Sequence, residues 1–175
     1  MEIAAQVFGI LAFIVSVISY QLKTYRQILL AQTLCVTLFV VHFLMLVQCG
    51  QPDAMTGAAL NGVSFVRDII LLATEKKRTR KLTTILAVCS SVAVIAIGIL
   101  TWSSWISLLF IISMVFNSIA LSIPDPNTVR VFIMLSAPFA CAYDVLNHSI
   151  GGTVNEVVSF LSALTAFLRY RRTAG

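Results

Sequence analysis

Five ionisable side chains, His42, Arg67, Asp68, Asp144 and Glu156, stand inside long apolar stretches of the sequence. On insertion scales a charged group at the centre of a membrane helix costs about 2.5–3.5 kcal/mol, so groups retained there face a cavity or a partner. Glu156 is the strongest of them because it falls on a stripe that occurs twice. Thr56–Asp68 reads TGAALNGVSFVRD and Gly151–Ala163 reads GGTVNEVVSFLSA, which aligns Gly57 with Gly152, Asn61 with Glu156 and Ser64 with Ser159. On a helix the spacing of Gly57, Asn61, Ser64 and Asp68 puts all of them on one face, as it does Gly152, Glu156, Ser159 and Ala163.

Two small-and-polar stripes in two apolar helices suggest a pseudo-symmetric site. Its chemistry would be binding rather than bond-making. The amides of Asn61 and Asn155 and the hydroxyls of Ser64 and Ser159 suit a polar solute, and the Glu156 carboxyl suits proton coupling or cation contact. The plainer alternative is helix–helix hydrogen bonding, worth about 0.6–2 kcal/mol for such a group. Arg67 is long enough to snorkel to the interface, whereas Asp68 must pair with a basic group or line a wet vestibule. His42 and Asp144, towards the other ends of their helices, are candidates for a proton relay or an interfacial pair. Without a third ligand they make no metal site. Gly57 and Gly152, with Gly62 and Ala58, allow close helix approach, and Pro138 can bend its helix. No nucleophile–base pairing, phosphate loop or HExxH occurs, so the sequence points to neither an enzyme nor a cofactor.

These residues need helices in a membrane to position them. Of 175 residues, 59% are hydrophobic and 11% charged, with mean hydropathy +0.96. A soluble domain carries about a quarter charged residues. Apolar segments fall at about 4–21, 28–48, 54–74, 82–101, 105–123, 129–147 and 151–169, each near the length that a ~30 Å hydrocarbon layer demands. Cys35, Cys49, Cys89 and Cys141 have no paired spacing and predict no disulfide. Lys23 and Arg26, then Lys76 to Lys81, then Arg130, then Arg169 to Arg172 alternate with connections that hold no Lys or Arg. Seven crossings place every basic connection on one side, with the N-terminus outside and the C-terminus cytoplasmic. The net charge of +5 then reports orientation and not nucleic-acid binding. Trp102 and Trp105 suit the outer interface.

The expected fold is all-α: one membrane domain over 1–175, with two parallel three-helix repeats (1–75 and 105–172) joined by a linker helix (82–101). Lys23-Thr24-Tyr25-Arg26 before the second helix, set against Asn127-Thr128-Val129-Arg130 before the sixth, extends the repeat.

Several stretches carry a family resemblance: Gln6–Gly9, Ser19-Tyr20-Gln21 with Lys23-Thr24, Leu38–Leu46, and Ser149-Ile150-Gly151-Gly152-Thr153 with Glu156 and Arg169-Tyr170. In this order the chain resembles the YgjV family of bacterial inner-membrane proteins over essentially its whole length. That implies a location and no activity. The 3+1+3 plan is similar to that of SWEET, PQ-loop and PnuC-type transporters, in which polar residues of the third and seventh helices line a central site. The resemblance thereby implies roles for Asn61 and Glu156. The Pro-Gln pair of PQ-loop proteins is incomplete here: Tyr20-Gln21 stands in the first half and Pro124 in the second.

The expected function is transport of a small polar solute across the inner membrane, with the site between the third and seventh helices. The alternative is a receptor or assembly protein of the same fold, as the KDEL-receptor plan illustrates. The expected partners are the bilayer and a small solute, and the small size of each half suits a homo-oligomer.

Overall fold

A computed structural model describes residues 2–50, 54–77, 79–102, 105, 107–146 and 150–172. Among them are seven α-helices and no strand: α1 (Glu2–Gln21), α2 (Tyr25–Gln48), α3 (Ala54–Thr74), α4 (Arg80–Leu100), α5 (Ser107–Ser122), α6 (Pro126–Leu146) and α7 (Ile150–Arg172). A single 3₁₀ turn, Glu75–Lys77, follows α3.

Local chemistry sets where the helices begin. Thr24 opens α2 with a capping box: its hydroxyl accepts from the Gln27 amide (3.3 Å) and the Gln27 side chain accepts from the Thr24 amide (3.4 Å). Thr79 caps α4 through the Leu82 amide at 3.2 Å. Asp125 does the same for α6, accepting from the Thr128 amide at 2.7 Å and its hydroxyl at 2.6 Å, with Pro126 at the first helical position. Partial burial alone would favour the protonated Asp125. The hydrogen bonds from Thr128 and Asn127 and the charge of Arg130 outweigh it and hold the carboxyl below its usual range. At the far end of α2, Gly50 takes φ +89°, the left-handed conformation that ends helices.

Thr24 and Thr128 do not hold equivalent places. Thr24 is the cap of α2, whereas Thr128 lies inside α6 and Asp125 is its cap. The correspondence read between those two turns therefore fails in register, although each opens its helix with a capping side chain.

Each helix packs on its neighbours in sequence, and α7 returns to pack on α1, which closes the seven into a ring. α3 also touches α5, but α3 and α7 share no extended interface. Close approach depends on glycine at particular crossings. A Cβ on Gly98 would lie 2.5 Å from Ile111, and one on Gly57 2.8 Å from the Phe43 ring. Gly62, expected to act likewise, has open space around it.

The polarity of the bundle is inverted. Large apolar side chains cover the outside, among them Ile14 and Ile18 of α1, Val66 and Ile70 of α3, and Val92 and Ile99 of α4. Ser19, Gln32, Ser64, Asp68, Ser118 and Ser159 are buried. In water such a skin would drive aggregation; in lipid it costs nothing, and polar groups must turn inward to find partners. Stretches long and apolar enough to cross a membrane are Ile3–Gln21, Tyr25–Gln48, Gly57–Lys77 and Arg80–Leu100, and α5 contributes a shorter apolar helix, Leu108–Ser122.

Candidate functional site

The stripe of α3 is its buried face. Ser64 and Asp68 are buried, as are Leu60 and Leu71 on the same side, while Val66, Ile69 and Ile70 face outward. In α7, Ser159, Ser162, Ala163 and Ala166 are buried and Val157 and Leu161 exposed. Glu156 and Asn155 are half-buried at the edge of that face, and the Asn155 amide donates to the Glu156 carboxylate at 3.1 Å.

The stripes lie on α3 and α7, which share no extended interface, and α1 and α2 pack in sequence between them in the ring. Tyr20 of α1 and Cys35 of α2 are buried on those intervening helices. Around this point the inner polar groups interlock. Gln32 donates to the Ser19 hydroxyl at 2.6 Å, and Cys35 donates to the Ala12 carbonyl at 3.4 Å.

Arg67 departs from its expected snorkelling. It is buried, and its Nε donates to Asp68 Oδ1 at 2.8 Å while its Nη1 donates to Ser118 of α5 at 3.1 Å. Asp68 provides the reason: a fully buried carboxylate without its guanidinium would be an uncompensated charge. Its other oxygen, Oδ2, has no hydrogen-bond partner. The same is true of Ser159 Oγ, Asn155 Oδ1 and Asn117 Oδ1, all shielded from solvent. Buried polar atoms are normally satisfied, so a group of such orphans inside one bundle needs an explanation.

Other expected site residues are otherwise engaged. Asn61 donates to the Gly57 carbonyl of its own helix at 2.8 Å. His42 Nδ1 donates to the Ala5 carbonyl at 2.7 Å, and Gly9 lies against its ring. His42 therefore ties α2 to α1. Asp144 lies in α6 and Gly152 in α7, but their side-chain environments lie outside the described residues. Pro138 is exposed on the outer face of α6 and not in a helix-packing seam. The helix continues through it, although its ring cannot donate the backbone hydrogen bond of a helical residue. All four cysteines are free.

Below the polar region one end of the bundle is filled by apolar side chains. Tyr20, Ile28, Leu29, Leu71, Leu121, Ile133 and Ala163 form an apolar core drawn from every helix except α4. Outside it runs a polar latch that the sequence did not flag. Arg130, 1% exposed, donates from Nε to the Tyr20 carbonyl (3.1 Å) and from Nη2 to the Leu22 carbonyl (2.6 Å), and its guanidinium stacks over the Tyr170 ring. The carbonyls it satisfies are those left unpaired at the end of α1. Gln21 donates to the Ser162 carbonyl at 2.7 Å and accepts from Arg169 at 2.9 Å, and the Tyr170 hydroxyl donates to the Gln21 carbonyl. The Tyr25 hydroxyl donates to the Leu121 carbonyl, and Arg26 pairs with Glu75 at 3.7 Å. These contacts bring the α1–α2, α3–α4 and α5–α6 turns and the end of α7, the basic segments of the chain, to one end.

A family model described as a bacterial inner membrane protein, Imp-YgjV, matches residues 3–174. The chain belongs to the Imp-YgjV family. The match covers almost the whole protein, and with it the apolar skin acquires its solvent. This Imp-YgjV protein is an inner-membrane protein with several membrane-spanning helices. No curated protein and no solved structure matches the chain.

Proposed function

We propose that this Imp-YgjV protein transports a small polar solute, with seven crossings, an outside N-terminus and a cytoplasmic C-terminus. In this reading the basic segments gathered at one end mark the cytoplasmic side. The latch and apolar core close that side, and the solute sits above them among Ser64, Asp68, Asn155, Glu156 and Ser159. The observation that carries the reading is the set of orphaned, buried oxygens within an apolar-skinned bundle. A purely structural interior has no reason to keep polar atoms whose loss of hydration is uncompensated; each costs about 1–3 kcal/mol. A bound solute would satisfy them. The two three-helix units on either side of α4 supply bodies that could rock about the site, as in parallel-repeat transporters.

Purified protein in proteoliposomes, screened with labelled amines, amino acids, sugars and carboxylates, should show uptake that Glu156→Gln alters in rate or pH dependence. Absence of flux across the panel would remove the transport reading. The rival, a receptor or assembly protein, draws support from the apolar packing of the filled end and from Asn61, whose amide is spent on its own helix.

A further inference from the structure

We infer that the groove between α3 and α4 binds an anionic phospholipid, with one acyl chain in the groove and the phosphate on the basic turn at its end. This is independent of any solute in the interior of the bundle. The groove has a volume of about 420 Å³, and its walls include Gly62, Val66 and Ile70 of α3 and Leu86 and Ala93 of α4. Gly62 deepens it, because nothing lies within 4 Å of the place a Cβ would take. Val66 and Ile70 are exposed, so the groove opens outward, towards the membrane that the family assignment supplies. Arg67 and Ser90 also line it, but their polar atoms are spent. Arg67 donates to Asp68 and Ser118, and Ser90 donates to the Ala87 carbonyl at 3.1 Å. The surface on offer is therefore hydrocarbon. A lipid tail in a hollow gains dispersion contacts on several sides, where a tail on a convex surface gains them on one.

Charge says which lipid. Along α3 the groove runs from Ile70 to Gly62, about 12 Å at the helical rise. Beyond Ile70 and Leu86 the two helices are joined by the Glu75–Lys77 turn, about 8–9 Å further along each helix. Lys76, Lys77, Arg80 and Lys81 are exposed there. Glu75, the acid of that turn, pairs with Arg26, and among the described residues no ion pair engages the four cations. Lysine and arginine donate to phosphate oxygens, and basic residues beside a membrane surface attract anionic headgroups. A second copy of the chain fits the same face poorly. Two copies oriented alike and related by a two-fold axis would set groove against groove and basic turn against basic turn, leaving the hollow unfilled and like charges opposed.

Thermal unfolding of the delipidated full chain in detergent tests this, with phosphatidylglycerol, phosphatidylethanolamine of the same tails, or inorganic phosphate added at matched ionic strength. A saturable rise of about 2–4 °C in the midpoint is expected with phosphatidylglycerol, and little change with the other two. Gly62→Leu and Ala93→Leu fill the groove from opposite walls, and each should need several-fold more phosphatidylglycerol for the same rise. Replacing the exposed Lys76, Lys77, Arg80 and Lys81 together by Gln should reduce the rise to that given by phosphatidylethanolamine. Midpoints without lipid report whether each variant is folded; if one groove variant is not, the other carries the test. An equal rise with both lipids overturns the anionic assignment. A rise with phosphate as large as that with phosphatidylglycerol makes the turn a site for a free anion and overturns the lipid. No rise with either lipid, or an undiminished rise in the folded groove variants or in the charge variant, overturns the inference.

Discussion

Arg130 of α6 reaches across to α1 and donates from Nε to the main-chain oxygen of Tyr20 at 3.1 Å, so a side chain near the start of one helix terminates another. With Nη2 on Leu22 and Nη1 on Asn127, the guanidinium is spent within the protein. Arg130→Ala would strip the end of α1 of its partners and empty a fully buried volume. A loss of about 3–4 kcal/mol is expected from hydrogen bonds to a charged group and the cavity together. Arg130→Lys would keep the charge but not the fork, and its unfolding midpoint in detergent should fall between those of the parent and Arg130→Ala. A lysine variant as unstable as the alanine variant would mean that the charge contributes nothing.

Arg67 and Asp68 make a different test, because adjacent residues on a helix seldom face each other and here both are buried. Arg67→Leu leaves the Asp68 carboxyl without its partner and should cost about 3–5 kcal/mol. The double replacement Arg67→Leu with Asp68→Leu should recover most of that loss, because no buried charge remains. A double-mutant cycle on thermal stability reads the coupling directly; additive losses would refute the buried pair.

The stripe and the helices were legible because burial follows periodicity: Ser64 and Asp68 are inside for the same reason that Val66 and Ile70 are outside. Helix limits missed by a few residues where side-chain chemistry extends a helix past its apolar run, as Thr24 does for α2 and Asp125 with Pro126 for α6. The role of Arg130 was hidden. Its main-chain partners are carbonyls more than a hundred residues away in sequence, and a backbone oxygen has no signature in a string of residue types. Asn61 shows a different limit: a side-chain amide on the stripe can always bond the carbonyl one turn back, and it does.

Glycines divide into two kinds. Gly98→Ala puts a Cβ 2.5 Å from Ile111 Cγ1, and Gly57→Ala puts one 2.8 Å from the Phe43 ring. Each should cost about 1–3 kcal/mol through displaced side chains. Gly62→Ala meets open space and should be neutral or stabilising by up to about 1 kcal/mol, the helix-propensity gain. Parallel thermal scans of the three variants check the ordering. A destabilised Gly62→Ala would contradict the observed packing of α3.

Asp125 ties stability to pH at the start of α6. Its folded carboxyl is held below the usual range by Thr128 and Asn127. A depressed folded value means that the contribution is fully present above the unfolded value, ~3.9, and is lost as pH falls through the folded one. Asp125→Ala should cost about 0.5–2 kcal/mol at neutral pH by loss of the cap. Asp125→Asn should retain most of the cap and flatten the acid limb of the stability profile. An unchanged acid limb in Asp125→Asn would show that another carboxyl governs it.

The latch and the apolar core together predict which side of the site is open to reagents. Ser159 lies on the inner face of α7, and Ser162, one turn nearer the filled end, bonds to Gln21 and to the Val17 carbonyl. A thiol at Ser159→Cys, in a background lacking the four native cysteines, should resist a membrane-impermeant maleimide applied from the side of the basic segments. Adding Arg130→Gln frees the end of α1 while leaving the apolar core intact. If the latch alone holds that side shut, labelling should then rise at least several-fold; if the core suffices, it should stay at the background level and only the double change Arg130→Gln with Leu121→Ala should open it. Rapid labelling of Ser159→Cys from the basic side in the otherwise unaltered background would mean that the bundle is open there, and the assignment of that end as the closed gate would fall.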